Sequence, residues 1–190
     1  MVPLTQRLVW KVAVAIVVGS LIGGGLPAAG ADSRSPISTA ADGGSRDAEA
    51  PLPEIHLYFA DAQQGVLKAE NRILSESAYP AETGRRIIEQ LIRGPQSRLT
   101  KTIPPHARLK SFYLAFDGTA YVNWDAEIRN GHPGGALMEM LTVFSIVDSL
   151  VLNVPEIHRV ELLIDGSEID TLAGHIDVRQ PIKANMLIIR

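Results

Sequence analysis

The residues able to do chemistry are scattered. The five histidines, His56, His106, His132, His158 and His175, show no HxH, HxxH or HExxH spacing, and the carboxylates form no calcium-loop pattern. No metal and no cofactor is expected. The absence of cysteine excludes disulfides, thiolate catalysis, zinc–cysteine sites and a lipid-accepting thiol. Asp125, His132 and Ser145 can be drawn as a triad. Ser145, however, falls three turns into a helical pattern, without the strained strand-to-helix elbow that exposes a serine nucleophile. Asp125, Glu127, Asp165 and Asp177 could supply a carboxylate pair of the glycosidase kind, but turn capping explains all four without catalysis. His132-Pro133-Gly134-Gly135 brings small residues to a helix start, where backbone N–H groups and the dipole suit an anion.

No catalytic residue is assigned on this basis. A recognition loop is expected instead, made of Asn123, Asp125, His132, Gly134, Gly135, His175 and Asp177. The alternative is a small hydrolase of glycan or ester using Asp125, His132 and Asp177. It requires those three to converge within hydrogen-bond reach in a concave pocket.

The elements that must position these groups follow from periodicity. EIHLYFA alternates Ile55, Leu57 and Phe59 against His56 and Tyr58, a strand pattern. A second extended segment follows over 66–75. Pro80 opens a helix with Glu82 in its first turn, an apolar stripe at Ile87, Ile88, Leu91 and Ile92, and a Gly94-Pro95 stop. Arg85, Arg86 and Glu89 lie on the solvated side. LKSFYLAF and TAYVNW are strands joined at Asp117-Gly118, a hairpin signal. A second helix is expected over 133–152. It has a broad apolar face and a narrow opposite stripe of Glu139, Thr142, Ser145 and Ser149. VELLI reads as a central strand buried on both faces, and MLII near the end as an edge strand. Strands and helices in this order predict an α+β fold: a two-layer sandwich, with a mixed sheet of four to five strands and two helices on one face.

Composition sets the class. Of 190 residues, 46% are hydrophobic and 21% charged, enough for a packed core. The net charge of −3 gives no drive toward nucleic acid. Residues 1–31 read as a signal peptide or N-terminal anchor. Arg7 and Lys11 precede an uncharged stretch, and Ala29-Gly30-Ala31 supplies small residues for cleavage. Residues 32–53, rich in Ser, Ala, Gly, Asp and Pro, read as a disordered linker. Residues 54–190 form the domain. An exported chain on the periplasmic or extracellular side is expected.

Several strings carry a family resemblance. IHLYFAD, EQLIRGP, TAYVNWDAEI, HPGGALMEMLTVFSIVDSL, VELLIDG and TLAGHIDVRQPI occur in one order over about 54–182. Together they resemble the GerMN domain of sporulation and spore germination. The resemblance implies a small α+β domain on exported, envelope-facing proteins, with no established catalytic residues and a binding or assembly role. Two positions depart from it: Asn123 stands where the family's strand end carries an acid, and Asp148-Ser149 where it carries Asn-Thr. The expectation is a non-enzymatic envelope module that binds a protein or a peptidoglycan-type glycan. It meets a membrane only through its N-terminal segment, if that segment is uncleaved. Homo-oligomerisation through the 66–75 edge or MLII is a further expectation.

Overall fold

Alternation in EIHLYFAD produces β1 (Glu54–Asp61), which turns back into β2 (Val66–Ile73). The Asp61 carboxylate accepts the N–H groups of Gln63 and Gln64 and so shapes the turn. The two strands pair antiparallel, Glu54 opposite Ile73 and Asp61 opposite Val66. The computed structural model describes residues 54–74 and 77–190. The expected leader and linker lie outside the described residues.

Helix α1 (Pro80–Arg93) has proline in its first turn, and Gly94 after its end returns its N–H to Gln90 and Leu91. Gly84, Ile87, Ile88 and Leu91 are buried. Burying each large aliphatic side chain contributes about 1.5–3 kcal/mol. On the other side Glu82 and Glu89 pair with Arg85, and Glu82 with Arg86, at helical spacing. Gly84 sets how closely the helix approaches the sheet, because a Cβ there would lie 2.4 Å from the Phe112 ring.

β3 (Leu109–Leu114) and β4 (Thr119–Trp124) form the expected hairpin. Gly118 is required in its turn: φ is +79°, and a Cβ would sit 2.2 Å from His158 Nδ1. A short helix not anticipated from the sequence, α2 (Glu127–Asn130), follows β4. The main helix, α3 (Ala136–Val151), starts later than residue 133 because Gly134 and Gly135 both take positive φ. β5 (Arg159–Ile164) runs parallel to β4, and the two-residue β6 (Ser167–Glu168) closes the chain's last ladder.

The fold is α+β, as the element order predicted. Its strands divide into two sheets rather than one: β1-β2, and a mixed sheet in the order β3-β4-β5-β6. On one face of the mixed sheet α1 packs against β3 and α3 against β5, while α3 also packs on β1. Ala120, Val122, Trp124, Val160 and Leu162 point into this core, all fully buried. By alternation Ser111, Tyr113, Tyr121, Asn123, Glu161 and Leu163 point to the opposite face. On that face Tyr113 is exposed, Tyr121, Asn123 and Leu163 are half-buried, and Glu161 is buried. β5 packs a helix on its core face, and Glu161 on the other face is 5% exposed, in line with VELLI as a nearly continuous apolar run in a central strand.

The end of the chain also departs from expectation. MLII forms no strand: Met186–Ile188 is one 3-10 turn, capped by the Asn185 side chain on the Leu187 N–H. Ile189 then bridges to Leu67, and Arg190 donates its N–H to the Leu67 carbonyl. The two edges expected to mediate oligomerisation thus touch each other.

A buried polar seam as the candidate functional site

The polar stripe of α3 is the most informative part of the molecule. Glu139, Thr142, Ser145, Asp148 and Ser149 are all 0% exposed. A polar group is tolerated at that depth only when bonded. Nearly every one is, and together they reach the backbone of Tyr58, Thr102, Ala173, His175 and Asn185.

At the N-terminal end the Glu139 carboxylate accepts the N–H groups of Ala173 at 2.7 Å and His175 at 2.8 Å, and faces His175 Nδ1 at 3.1 Å. Burial pushes its pKa up. The donors of the 173–176 loop push harder, and the net displacement is below the ordinary glutamate value. Thr142 donates to the Thr102 carbonyl and sits 3.1 Å from His132 Nε2. His132 Nδ1 accepts the Gly134 N–H at 3.0 Å, so the proton resides on Nε2. Burial lowers the His132 pKa, against a smaller opposing pull from Glu139.

Further along, Ser145 donates to the Tyr58 carbonyl at 2.6 Å and meets Thr102 Oγ1 at 2.7 Å. Ser149 accepts the Tyr58 N–H at 3.0 Å. Asn153 accepts the His56 N–H and donates to the His56 carbonyl, both at 2.8 Å. Ala60 exchanges both of its backbone bonds with Thr100. His56, Tyr58 and Ala60 are the residues whose backbone groups face away from β2. The side chains of Ser145, Ser149 and Asn153 and the backbone of Thr100 therefore close an edge that would otherwise offer itself to another strand. Asn153→Ala should cost about 1–2 kcal/mol and raise concentration-dependent association; urea denaturation and light scattering would check both.

Asp148 is the exception. Its Oδ1 accepts the Asn185 N–H at 2.9 Å, while Oδ2 has no hydrogen-bond partner among the described residues. Burial raises its pKa to about 6.

The residues singled out from the sequence fall into separate bond sets. His132 and His175 both reach the first turns of α3, through Thr142 and Glu139. Gly134 and Gly135 make the approach to that helix. Asn123 instead joins Ser111 Oγ to the Gly166 N–H on the sheet. Asp125 caps the Arg108 N–H. Asp177 forms a fork with Arg179, which holds its pKa down to about 2. No hydrogen bond joins Asp125, His132 and Asp177 among the described residues, and Ser145 bonds to neither His132 nor Asp125. A groove of about 750 Å³ beside β1-β2 is lined by Asp61, Lys68, Glu70 and Arg98. Two of its charges form the ion pair Lys68–Asp61, and Glu70 is held by Arg72. Among the described residues no group of three or more His, Asp or Glu is placed to hold a metal ion. No described helix is long and apolar enough to cross a membrane.

The Germane family profile, described as sporulation and spore germination, matches residues 56–170. The chain belongs to the Germane family. Solved structures agree on the fold. A crystal structure of a chain designated a candidate lipoprotein of Clostridium perfringens is 26% identical, with a TM-score of 0.51, covering 69% of this chain and 87% of that one. The first GerMN domain of the sporulation protein GerM from Bacillus subtilis is 21% identical, with a TM-score of 0.56, covering 71% of this chain and 98% of that one. The tandem GerMN domains of the same protein give 21% and 0.55, and this chain spans 45% of that longer structure. No curated protein matches. The Germane match takes in the seam's partners on β1 and the 100–102 loop, whereas the 173–176 loop that wraps Glu139 lies beyond it.

One residue that sequence reasoning passed over stands apart from the seam. Glu161, in the middle of β5, is 5% exposed and directly opposite Tyr121 in the ladder. The signal was present in VELLI as a single charge inside an apolar run.

Proposed function

We propose that this Germane domain is an exported, non-enzymatic binding module of the cell envelope, with an envelope protein or a peptidoglycan-type glycan as its partner. The family description and the similarity to a candidate lipoprotein support the envelope setting and a place in sporulation-type processes. Export itself rests on the leader read in residues 1–31.

The observation that carries the binding role is the exposed aromatic surface on the sheet face opposite α1 and α3. Tyr113 is 59% exposed there and pairs with Tyr121, ring centroids 6.2 Å apart. Phe116 stands fully exposed at the adjoining hairpin. Exposed aromatic groups ringed by polar residues are the usual anchors of recognition surfaces. The catalytic alternative has no comparable support, because its residues are occupied with separate structural partners.

A photo-crosslinking residue at position 113 should trap an envelope component in cells. The same group at exposed Glu156, away from this face, should not. Equal yields from both positions would overturn the reading.

A further inference from the structure

The open sheet face holds a charge without a counter-charge. Across the ladder, Tyr113 lies opposite Tyr121 and Tyr121 opposite Glu161, so two rings and a carboxylate form one row. Glu161 is 5% exposed and its carboxylate has no hydrogen-bond or ion-pair partner among the described residues; unlike Asp148 Oδ2, its oxygens are not sealed from solvent. Its electrostatic neighbour is another acid, Glu168, which is exposed on β6. Burial and this like charge both raise its pKa. The nearby cations are already engaged. Arg159 bonds Thr119 Oγ1 and Asp117, and Lys110 bonds Asp165.

A carboxylate so little exposed, met only by water, gains from a partner that brings a charged donor. The donor must be cationic, since two acids face it. An aromatic ring directly beside it further suits a guanidinium or ammonium group. Ser111, Asn123 and Leu163 continue along the next row, and the groove of about 280 Å³ that includes Ser111 is lined by Arg85, Glu89 and residues 107–111, not by Glu161. A row of side chains across three strands matches an extended polypeptide better than a small molecule, which needs a pocket.

We propose that this face binds a basic segment of a protein partner, with an arginine or lysine side chain seated on Glu161 beside Tyr121. The inference rests on the binding-module reading and names its partner class. The guanidinium supplies the missing donors, and Glu168 adds attraction at the rim. Binding is therefore strongest at low ionic strength.

The test uses the full chain and a fluorescent nona-arginine peptide at 50 mM and 300 mM NaCl, with a glycine–serine peptide as the neutral control. Saturable nona-arginine binding is expected, with amide shifts centred on Tyr121 and Glu161. Glu161→Gln, which keeps the shape and removes the charge, should weaken it at least tenfold, and Tyr121→Ala severalfold. Glu156→Gln should leave it unchanged. Unaltered amide spectra outside β4 and β5 would verify the fold of each variant. Absence of binding, or equal loss in Glu156→Gln, would overturn the proposal. So would displacement by a lysine-bearing muropeptide at lower concentration than nona-arginine, which would make the ligand a cell-wall amine. Crosslinks from position 113 that persist without nona-arginine binding would remove this inference and leave the binding module standing.

Discussion

Asp148→Asn should stabilise the domain by about 3 kcal/mol at pH 8 and by almost nothing at pH 4. Asp148 is fully buried, with one oxygen bonded to the Asn185 N–H and the other bare. Burial carries its pKa from 3.8 to about 6. A raised carboxyl pKa means that the folded state binds the proton more tightly than the unfolded chain. Below pH 3.8 both states are protonated and the group is neutral in the balance. Between 3.8 and about 6 the unfolded chain ionises first, so stability falls as pH rises. Above 6 the full penalty is present. Asparagine keeps an acceptor for the Asn185 N–H and carries no charge to desolvate. Urea denaturation of both proteins at pH 4 and pH 8 measures the effect. An asparagine variant no more stable than the parent at pH 8 would show that Asp148 is solvated in the fold.

Glu139→Ala should act in the opposite direction and cost about 3–5 kcal/mol at pH 7. The same carboxylate chemistry, about two and a half turns away on the same helix, is stabilising here because its donors are complete. Removing it strands the N–H groups of Ala173 and His175. The pH sign also reverses. Desolvation raises the Glu139 pKa, but the loop's N–H groups more than offset it and leave it below 4.5. Its contribution is present above 4.5 and is lost as pH falls through the depressed value. Glu139→Gln should fall between, since one amide oxygen can still accept. Hydrogen exchange at Ala173 and His175 distinguishes local release of the 173–176 loop from global unfolding. Unchanged protection in Glu139→Ala would sink the assignment.

These two acids show where sequence reasoning reached and where it stopped. Strand alternation in EIHLYFA and TAYVNW, the Pro80 start and Gly94 stop of α1, and the Asp117-Gly118 turn are local signals, and the elements appear where those signals put them. The helical wheel of α3 also separated the polar stripe of Glu139, Thr142, Ser145 and Ser149 correctly. A wheel gives direction but not what lies in that direction. The partners of this stripe are backbone groups of Tyr58, Thr102 and Ala173, between 34 and 91 residues away. Period and propensity carry no information about such pairs. The same gap hid Glu161. In VELLI it read as part of a buried strand, and it is buried; what the string could not show is the register that sets it opposite Tyr121 on the face away from the helices. MLII had strand composition but no free neighbour long enough to form a ladder, so a capped turn prevailed.

The closure of β1 by α3 also sets the order in which the chain can fold. A two-stranded hairpin is marginal alone in water. Beyond the Ala60–Thr100 pair, the bonds that complete this one span 87 to 97 residues, from His56 and Tyr58 to Ser145, Ser149 and Asn153. Contacts so distant in sequence are made late, after loop-closure entropy has been met. A chain leaving a ribosome or a translocation pore amino-terminus first therefore keeps β1 and β2 without their native edge partners until residue 153 has followed. Its first strand is the last to be sealed.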